Sequence, residues 1–437
     1  MKKRTLINAL LCGALLVPAL AGAVEFDQGV DASAALAQAK TAAQEASGEA
    51  AQGKQIQVDP EVVNGEAVER RIVVFKKSVS GSRRMSLVRS LGGIPTKDLR
   101  IINAVAVVTP KIRMANFERQ LASLGDVLRV EEDFVQNWLV AATPIVPVPV
   151  RMPALMPKAE MPPEIEEQKT PWGIDRVNAK QAWSVTRGAG VKVAVVDTGI
   201  DIDHPDLNIQ GGYNAIDPEV SFDDDNGHGT HVAGTIAGQD NGEGVVGVAP
   251  DVLVWGVKVL SGSGSGTFAD VIEGMQWCAE NGMAVANFSL GASRGTQALA
   301  DAVKAVSEAG VAIIAAAGNS GRSVGFPAAY PEALAVAASD VNDKTAGFSS
   351  RGPEVEVIAP GVGVNSTWPG GGYRSISGTS MATPHVVGLA ALAVANGASG
   401  IDQVRAALLG AAVKLPEIPE VQQGSGMIDA ARLVGAK

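Results

Sequence analysis

Residues 191–199 read VKVAVVDTG, a nearly unbroken apolar run that stops on an acid and a glycine. A strand with one wet face alternates apolar and polar residues. A run that is apolar at successive positions belongs instead to a strand buried on both faces, as in a parallel sheet covered on each side. The pattern returns as VLVWGVKVL (252–260), AVANFSLG (284–291), VAIIAAAGN (311–319) and VEVIAP (355–360). Between these runs, FADVIEGMQWCAENG (268–282) and TQALADAVKAVSEAG (296–310) carry apolar residues at helical spacing and end in glycine, a usual helix stop. Strands alternating with helices predict an α/β domain over residues 168–437, with a mostly parallel sheet covered by helices on both faces. Functional residues of such sheets gather at the carboxyl ends of the strands, which is where Asp197 stands.

Upstream the texture changes. Residues 69–139 hold RIVVFK, NAVAVVTP and VLRVEEDFV, read as strands, and FERQLASLG, read as a helix, which together predict a small α+β domain. Residues 140–167 are rich in proline; each proline removes a backbone donor and fixes φ, so this stretch reads as an extended, exposed linker. Residues 24–68 are rich in Ala, Gln, Glu and Gly, with too few large apolar side chains to offset the entropy of ordering, and read as a second linker. At the extreme N-terminus, Lys2, Lys3 and Arg4 precede an apolar stretch from Leu6 to Val24 that contains the small triplet Ala21-Gly22-Ala23. Residues 1–23 therefore read as a cleaved secretory signal, and the expected location is secreted or periplasmic, with no membrane anchor.

At 437 residues, 46% hydrophobic and 19% charged, the chain is too apolar for disorder and long enough for two or three compact units. Two cysteines exclude a disulfide framework, because Cys12 lies in the leader and Cys278 is left alone. Charge divides where the pattern divides. Residues 69–139 carry 13 Lys+Arg against 7 Asp+Glu, a net of +6, whereas 170–437 carry 15 against 27, a net of −12. The two domains are electrostatically complementary, which favours docking of one on the other. The plainer alternative is that acidity keeps an exported protein soluble. A large domain this acidic disfavours a nucleic-acid surface, and the expected state is a monomer.

All four histidines, His204, His228, His231 and His385, lie in the large domain, and histidine is the side chain most readily used as a base near neutral pH. His228 and His231 stand in NGHGTHVAGT (226–235), a glycine-rich turn running into a helix of small residues. Asp197 ends a buried strand, where a carboxylate has no packing role, and Ser380 sits in SGTSMATPHVVGLAALAV (377–394), where a turn feeds directly into a helix. Taken singly, each has an ordinary explanation: a turn cap, a pair of packed or exposed imidazoles, a helix N-cap. Taken together they supply a nucleophile, a base and an acid to orient it.

The motifs VAVVDTGID (193–201), HGTHVAGT (228–235) and GTSMATPH (378–385), in this order, make the large domain similar to the subtilisin-type serine proteases, over essentially all of 168–437. The resemblance implies a serine endopeptidase in which Ser380 is the nucleophile, His228 the general base and then acid, and Asp197 the carboxylate that holds the imidazole. It is the resemblance, not composition, that selects His228 over His231. It further implies that Asn319, after the run VAIIAAAG, supplies an oxyanion donor beside the Ser380 backbone N–H. Gly264, Ser265 and Gly266 in SGSGSGTF (261–268), with Ser289, Leu290 and Gly291 in FSLGA (288–292), correspond to two segments that flank an extended substrate. Their ordinary reading is a flexible loop. Ala316, Gly318 and Gly325 would line the pocket for the residue before the cut bond; with Ser320 uncharged, the pocket is expected to prefer large apolar or aromatic side chains over basic ones.

Calcium is a second implication. Gln168, Asp206, Gln239, Asn241, Glu243 and Val245 align with the family's tight calcium site and would offer the oxygen shell that a hard cation prefers; the alternative is an ion-free surface loop. The acid run 223–225 reads as a solvated face, with a further calcium site as the alternative, and HGTH lacks the glutamate and third ligand of a zinc site. The small basic domain resembles the family's inhibitor-like propeptide, which implies an intramolecular chaperone and temporary inhibitor, cut off near Leu139. Rival readings are a binding module that has lost catalysis and a processing enzyme of narrow specificity.

Overall fold

The computed structural model describes residues 62–63, 66–139 and 167–436, which fall in one compact unit, Glu61–Lys437. The expected secretory signal, nearly all of the Ala/Gln-rich linker and the Pro-rich linker lie outside the described residues.

The first part is an antiparallel sheet backed by two helices: β1 (Val62–Val63), β2 (Glu66–Phe75), α1 (Gly81–Ser90), β3 (Ile94–Leu99), β4 (Ala104–Pro110), α2 (Lys111–Ala122) and β5 (Val127–Glu132). The strand order is β1-β2-β4-β3, with β5 paired to β2. β2 opens at Glu66, three residues ahead of the expected boundary, because its first residues pair with β1, Glu66 opposite Val63 and Ala67 opposite Val62, before β4 takes over at Val68 opposite Pro110. The run VLRVEEDFV, expected as one strand, is broken at Asp133 and Phe134 into β5 and a short β6 (Val135–Asn137). Alternation divides the sheet's faces. Val73, Phe75, Val105 and Val107 pack on Leu87, Val88, Phe117 and Leu121 of the helices, whereas Ile72, Val74, Ala104 and Ala106 join a core shared with the larger part of the chain.

That larger part is built on β7 (Lys192–Asp197), β8 (Ile209–Asn214), α3 (His228–Ala237), β9 (Leu253–Lys258), β10 (Ser265–Thr267), α4 (Phe268–Glu280), β11 (Val285–Phe288), α5 (Gln297–Glu308), β12 (Ala312–Ala316), β13 (Ala333–Ser339), β14 (Val355–Pro360), β15 (Val364–Trp368), β16 (Gly372–Ile376), α6 (Thr379–Ala395) and α7 (Gly400–Ala411). Seven strands form one sheet in the order β14-β13-β12-β11-β7-β9-β8, and every neighbouring pair is parallel. Its strands bury both faces, as the apolar runs require. Val193 and Val195 of β7 pack in a core with α3, α6 and α7, while Ala194 and Val196 pack in the other with α4 and α5. Burying side chains of this kind is worth roughly 1.5–3 kcal/mol each for the larger ones, so both helical layers are needed to hold the sheet.

Candidate active site

Asp197 is the last residue of the central strand β7 and is fully buried. A lone carboxylate there would be costly, and its oxygens are met by donors: Oδ1 accepts from the Thr198 N–H at 2.7 Å, and His228 Nδ1 lies 2.8 Å from Oδ1 and 3.0 Å from Oδ2. His228 is the first residue of α3, entered through Gly227 at φ 106°. A Cβ at Gly227 would stand 2.4 Å from the Trp368 ring, so only glycine brings the chain past that indole. Burial pulls the His228 imidazole toward its neutral form, but the charge of Asp197 and its hydrogen bond, with help from Asp224, outweigh burial and leave its pKa above the ordinary value.

Asp224 is a residue that sequence reasoning passed over. The acid run 223–225 is not one solvated face, since Asp224 is buried while its neighbours are exposed. Its Oδ1 accepts from Thr198 Oγ1 (2.9 Å), the Asn226 N–H (3.0 Å) and the Gly227 N–H (2.9 Å); its Oδ2 accepts from the Thr230 N–H (2.9 Å) and Thr230 Oγ1 (2.6 Å). One carboxylate thereby ties the end of β7 to the first turn of α3, which fixes His228 against Asp197. His231, three residues on, is turned the other way: its Nε2 lies 3.0 Å from both the Val364 and Arg374 carbonyls, and burial pushes its pKa down to about 3. It is a packed core histidine.

Ser380 is the second residue of α6 and is 9% exposed, its Oγ donating to the Ser289 carbonyl at 3.0 Å. Four residues on, Pro384 has no N–H to give to the Ser380 carbonyl, and Ser289 Oγ fills the gap at 2.8 Å. These two reciprocal bonds lock the helix start onto the end of β11. Asn319 is drawn to the same point. Its Oδ1 accepts from the Thr379 N–H and Thr379 Oγ1, both at 2.9 Å, so the amide presents its Nδ2 as the donor end, and Asn319 and Ser380 line one cavity of about 270 Å³.

That cavity is lined by Ala316, Gly318 and Gly325, named above for the pocket, by Leu290 and Gly291, named for a substrate-flanking segment, and by Trp138 and Arg322, which the sequence did not single out. Trp138 belongs to a strand that lies in the site. β6 pairs antiparallel with β10, Asn137 opposite Ser265 and Gln136 opposite Gly266. The Trp138 N–H donates to the Gly264 carbonyl (2.9 Å), and the Gly291 N–H donates to the Trp138 carbonyl (3.0 Å). Residues 135–138 are therefore an extended peptide held between the two segments named for substrate, with Leu139 against Gly264 at the end of the described stretch. The indole of Trp138 is buried edge-on against Phe268 at 4.8 Å, its Nε1 donating to the Gly266 carbonyl.

The six expected calcium ligands are partly gathered. Asp206 is buried; its Oδ2 accepts from the Val245 N–H (2.8 Å), its Oδ1 faces Asn241 Nδ2 (3.3 Å), and its carbonyl accepts from the Gln239 N–H. Gln168 Nε2 donates to the Gln239 carbonyl at 2.6 Å, and the Glu243 N–H donates to Asn241 Oδ1. Desolvation raises the Asp206 pKa to about 6, outweighing the hydrogen bonds from Val245, Tyr373 and Asn241 that pull it down. Asp206 is thus met by N–H donors from Val245 and Asn241, and Gln168 turns its Nε2 toward the Gln239 carbonyl, so the amide oxygens do not converge on the carboxylate; among the described residues no three His, Cys, Asp or Glu side chains cluster in metal-binding fashion.

A buried Asp–His pair at the start of α3 and a serine in the first turn of α6, on two helices packed against each other and one parallel sheet, are the parts of a serine hydrolase. Comparison with known proteins makes this specific. Residues 188–427 match the subtilase family of peptidases, and the chain belongs to that family. It is 50% identical over 266 residues to alkaline elastase YaB of Bacillus sp. (strain YaB), covering 60% of this chain and 70% of that one. It is 52% identical over 227 residues to Subtilisin Savinase of Lederbergia lenta, covering 52% of this chain and 84% of that one. The same identity and length hold for M-protease of Shouchella clausii (strain KSM-K16), of which the chain spans 60%. The protein is a subtilisin-type serine endopeptidase.

Proposed function

We propose that the chain is an exported zymogen that cuts itself near Leu139 and then hydrolyses proteins, preferring large apolar or aromatic residues before the cut bond. The observation that carries this reading is the strand 135–138 lying between Gly264 and Gly291 beside Ser380, where an extended substrate would lie. In the reaction, Ser380 Oγ turns from the Ser289 carbonyl to His228 Nε2 and gives up its proton as it attacks the peptide carbonyl. Asp197 holds the Nδ1 proton and stabilises the imidazolium. The oxygen that becomes negative is met by Asn319 Nδ2 and the Ser380 N–H at the start of α6. His228 then passes its proton to the departing amine, leaving an acyl-enzyme that water hydrolyses by the same steps in reverse. Residues 69–139 act as propeptide, their tail blocking the substrate cleft until it is released. Calcium, held by Gln168, Asp206, Gln239, Asn241, Glu243 and Val245, would tie the chain at Gln168 to the 239–245 loop and take no part in the chemistry. The mature enzyme acts as a monomer, in the periplasm or outside the cell.

A fluorophosphonate probe tests the catalytic part. Covalent labelling of the processed protein at Ser380, abolished in His228→Ala, is the expected result; labelling that is equal in folded and heat-denatured protein would contradict an activated serine. A peptide-library profile tests the preference, and a strict demand for several defined residues at once would favour the narrow processing enzyme.

A further inference from the structure

Lys258 closes strand β9, in register beside Asp197 at the end of β7, and its side chain is only 7% exposed. An ammonium buried to that depth is costly unless acceptors meet it. Two do: its Nζ donates to the Thr198 carbonyl at 2.5 Å and to Asp225 Oδ1 at 2.6 Å. Both acceptors belong to the frame of the Asp197–His228 pair. Thr198 gives its N–H to Asp197 Oδ1, and its Oγ1 accepts from the Gly229 N–H at 3.0 Å in the first turn of α3. Asp225 stands three residues before His228, in the loop where Asn226 Oδ1 accepts from the His228 N–H at 3.1 Å and Asn226 Nδ2 donates to the Gly262 carbonyl at 2.8 Å. Asp224 gathers the donors of this frame, but a carboxylate cannot hold a carbonyl; Lys258 gathers acceptors from the same two elements. The turn between them has no slack, since a Cβ at Gly229 would stand 2.0 Å from the Gly199 carbonyl oxygen.

We infer that Lys258 is a positioning residue for the reaction: one buried cation holds the turn after Asp197 and the loop before His228 at a fixed separation, so that the bond between His228 Nδ1 and Asp197 is made before substrate arrives. The inference rests on Asp197 and His228 serving Ser380 as proposed above. Lys258 does not line the cavity beside Ser380, so it acts through Thr198 and Asp225 and not by touching substrate. Its loss therefore falls on kcat, where orientation of the base counts, and not on KM. Asp225 is the adjustable partner, with a side chain 61% exposed, so it can be replaced without leaving a cavity in the core.

The test uses the processed enzyme, with active sites counted by a fluorophosphonate probe, on N-acetyl-Leu p-nitroanilide, a short neutral substrate. In Lys258→Met, which keeps the stem and removes the ammonium, kcat per labelled site is expected to fall about 10- to 100-fold with KM changed by less than about twofold. In Asp225→Ala kcat should fall about 3- to 10-fold, and Asp225→Asn, whose amide oxygen can still accept from Nζ, should return it to within about twofold of wild type. Wild-type kcat per labelled site in Lys258→Met, even with a lowered Tm, would make Lys258 merely structural and overturn the inference, as would a loss confined to KM. If Lys258→Met does not fold, the Asp225 pair decides: wild-type kcat in Asp225→Ala, or Asp225→Asn no better than Asp225→Ala, overturns it. Activity retained in His228→Ala would instead bring down the catalytic reading on which the inference rests.

Discussion

Asn319 shows how little of a catalytic role is visible in one residue. An asparagine before a serine after a buried strand is an ordinary turn, and only the bonds from Thr379 to its Oδ1 turn the amide so that Nδ2 can serve a developing negative charge. Asn319→Ala should lower kcat by about 10²–10³-fold, the established scale for one oxyanion donor, with a much smaller change in KM. For His228 the sign is set by Asp197: the base must be neutral to act and its pKa is raised, so kcat/KM should fall on the acid side with a midpoint above 6.5. Asp197→Asn should move that midpoint down and cost about 10⁴-fold in rate. A midpoint unmoved by this substitution would remove Asp197 from the role. The exposed Arg322 on the wall of the 270 Å³ cavity corrects the expectation of a wholly uncharged pocket. Arg322→Glu should raise the relative cleavage after Lys and Arg in a peptide library. Asp197, His228 and Ser380 were legible because they stand in three motifs in the family's order, VAVVDTGID, HGTHVAGT and GTSMATPH; singly, each had an ordinary explanation. Asp224 was not, since a buried acid inside a run of three acids looks like solvated surface until its five donors are seen.

The elements that the sequence announced most clearly are those buried on both faces, because continuous apolar runs have no other explanation. Helix α1 and strand β3 went unread: GSRRMSLVRS and IPTKDL are largely polar and are held by tertiary packing of Leu87 and Val88 and by pairing with β4. The break of VLRVEEDFV was equally hidden, and its reason lies in the partner. Asp133 Oδ1 accepts from the Ala269 N–H in the first turn of α4, and Glu131 Oε2 accepts from the Ala298 N–H in the first turn of α5. Two acids of the small basic domain thus satisfy the unpaired amides of two helices of the acidic one. Burial raises the Asp133 pKa to about 7, outweighing the Ala269 bond; Asp270 adds to the rise, and Arg70 and Lys97 oppose it. Docking therefore favours protonated Asp133. The stabilisation is full below the ordinary value of 3.8 and is lost as pH rises through about 7. In the self-cut protein, the fragment ending near Leu139 should dissociate faster at pH 8 than at pH 5.5, as followed by size exclusion. Asp133→Asn should flatten the difference, and a fragment held more tightly at pH 8 would contradict the sign.

Across the whole molecule, opposite charge in the two parts becomes specific contact. Lys97 bonds Asp270 (3.0 Å) and Glu273 (2.6 Å), Arg100 bonds Glu280 (2.7 Å), and Arg129 bonds Asp301. The first of these cations is 10% exposed and the second 58%, so 1 M salt should weaken Arg100–Glu280 far more than the Lys97 pairs. Release of the fragment should accordingly quicken with salt but remain slower than in Lys97→Ala at low salt. Division into two oppositely charged parts was legible from composition; what composition could not show is that the open sheet face of one part, Ile72, Val74, Ala104 and Ala106, shares a core with Phe268 and Ile272 of the other. Chelating calcium should lower Tm, with recovery on adding calcium back, if the Asp206 loop holds the ion. The central claim is that Ser380 cuts its own chain near Leu139, and intact mass with N-terminal sequencing of the expressed protein, beside Ser380→Ala, tests it most directly. Wild type cut near Leu139 and Ser380→Ala uncut is the predicted result; both proteins cut alike, or neither cut, would contradict it.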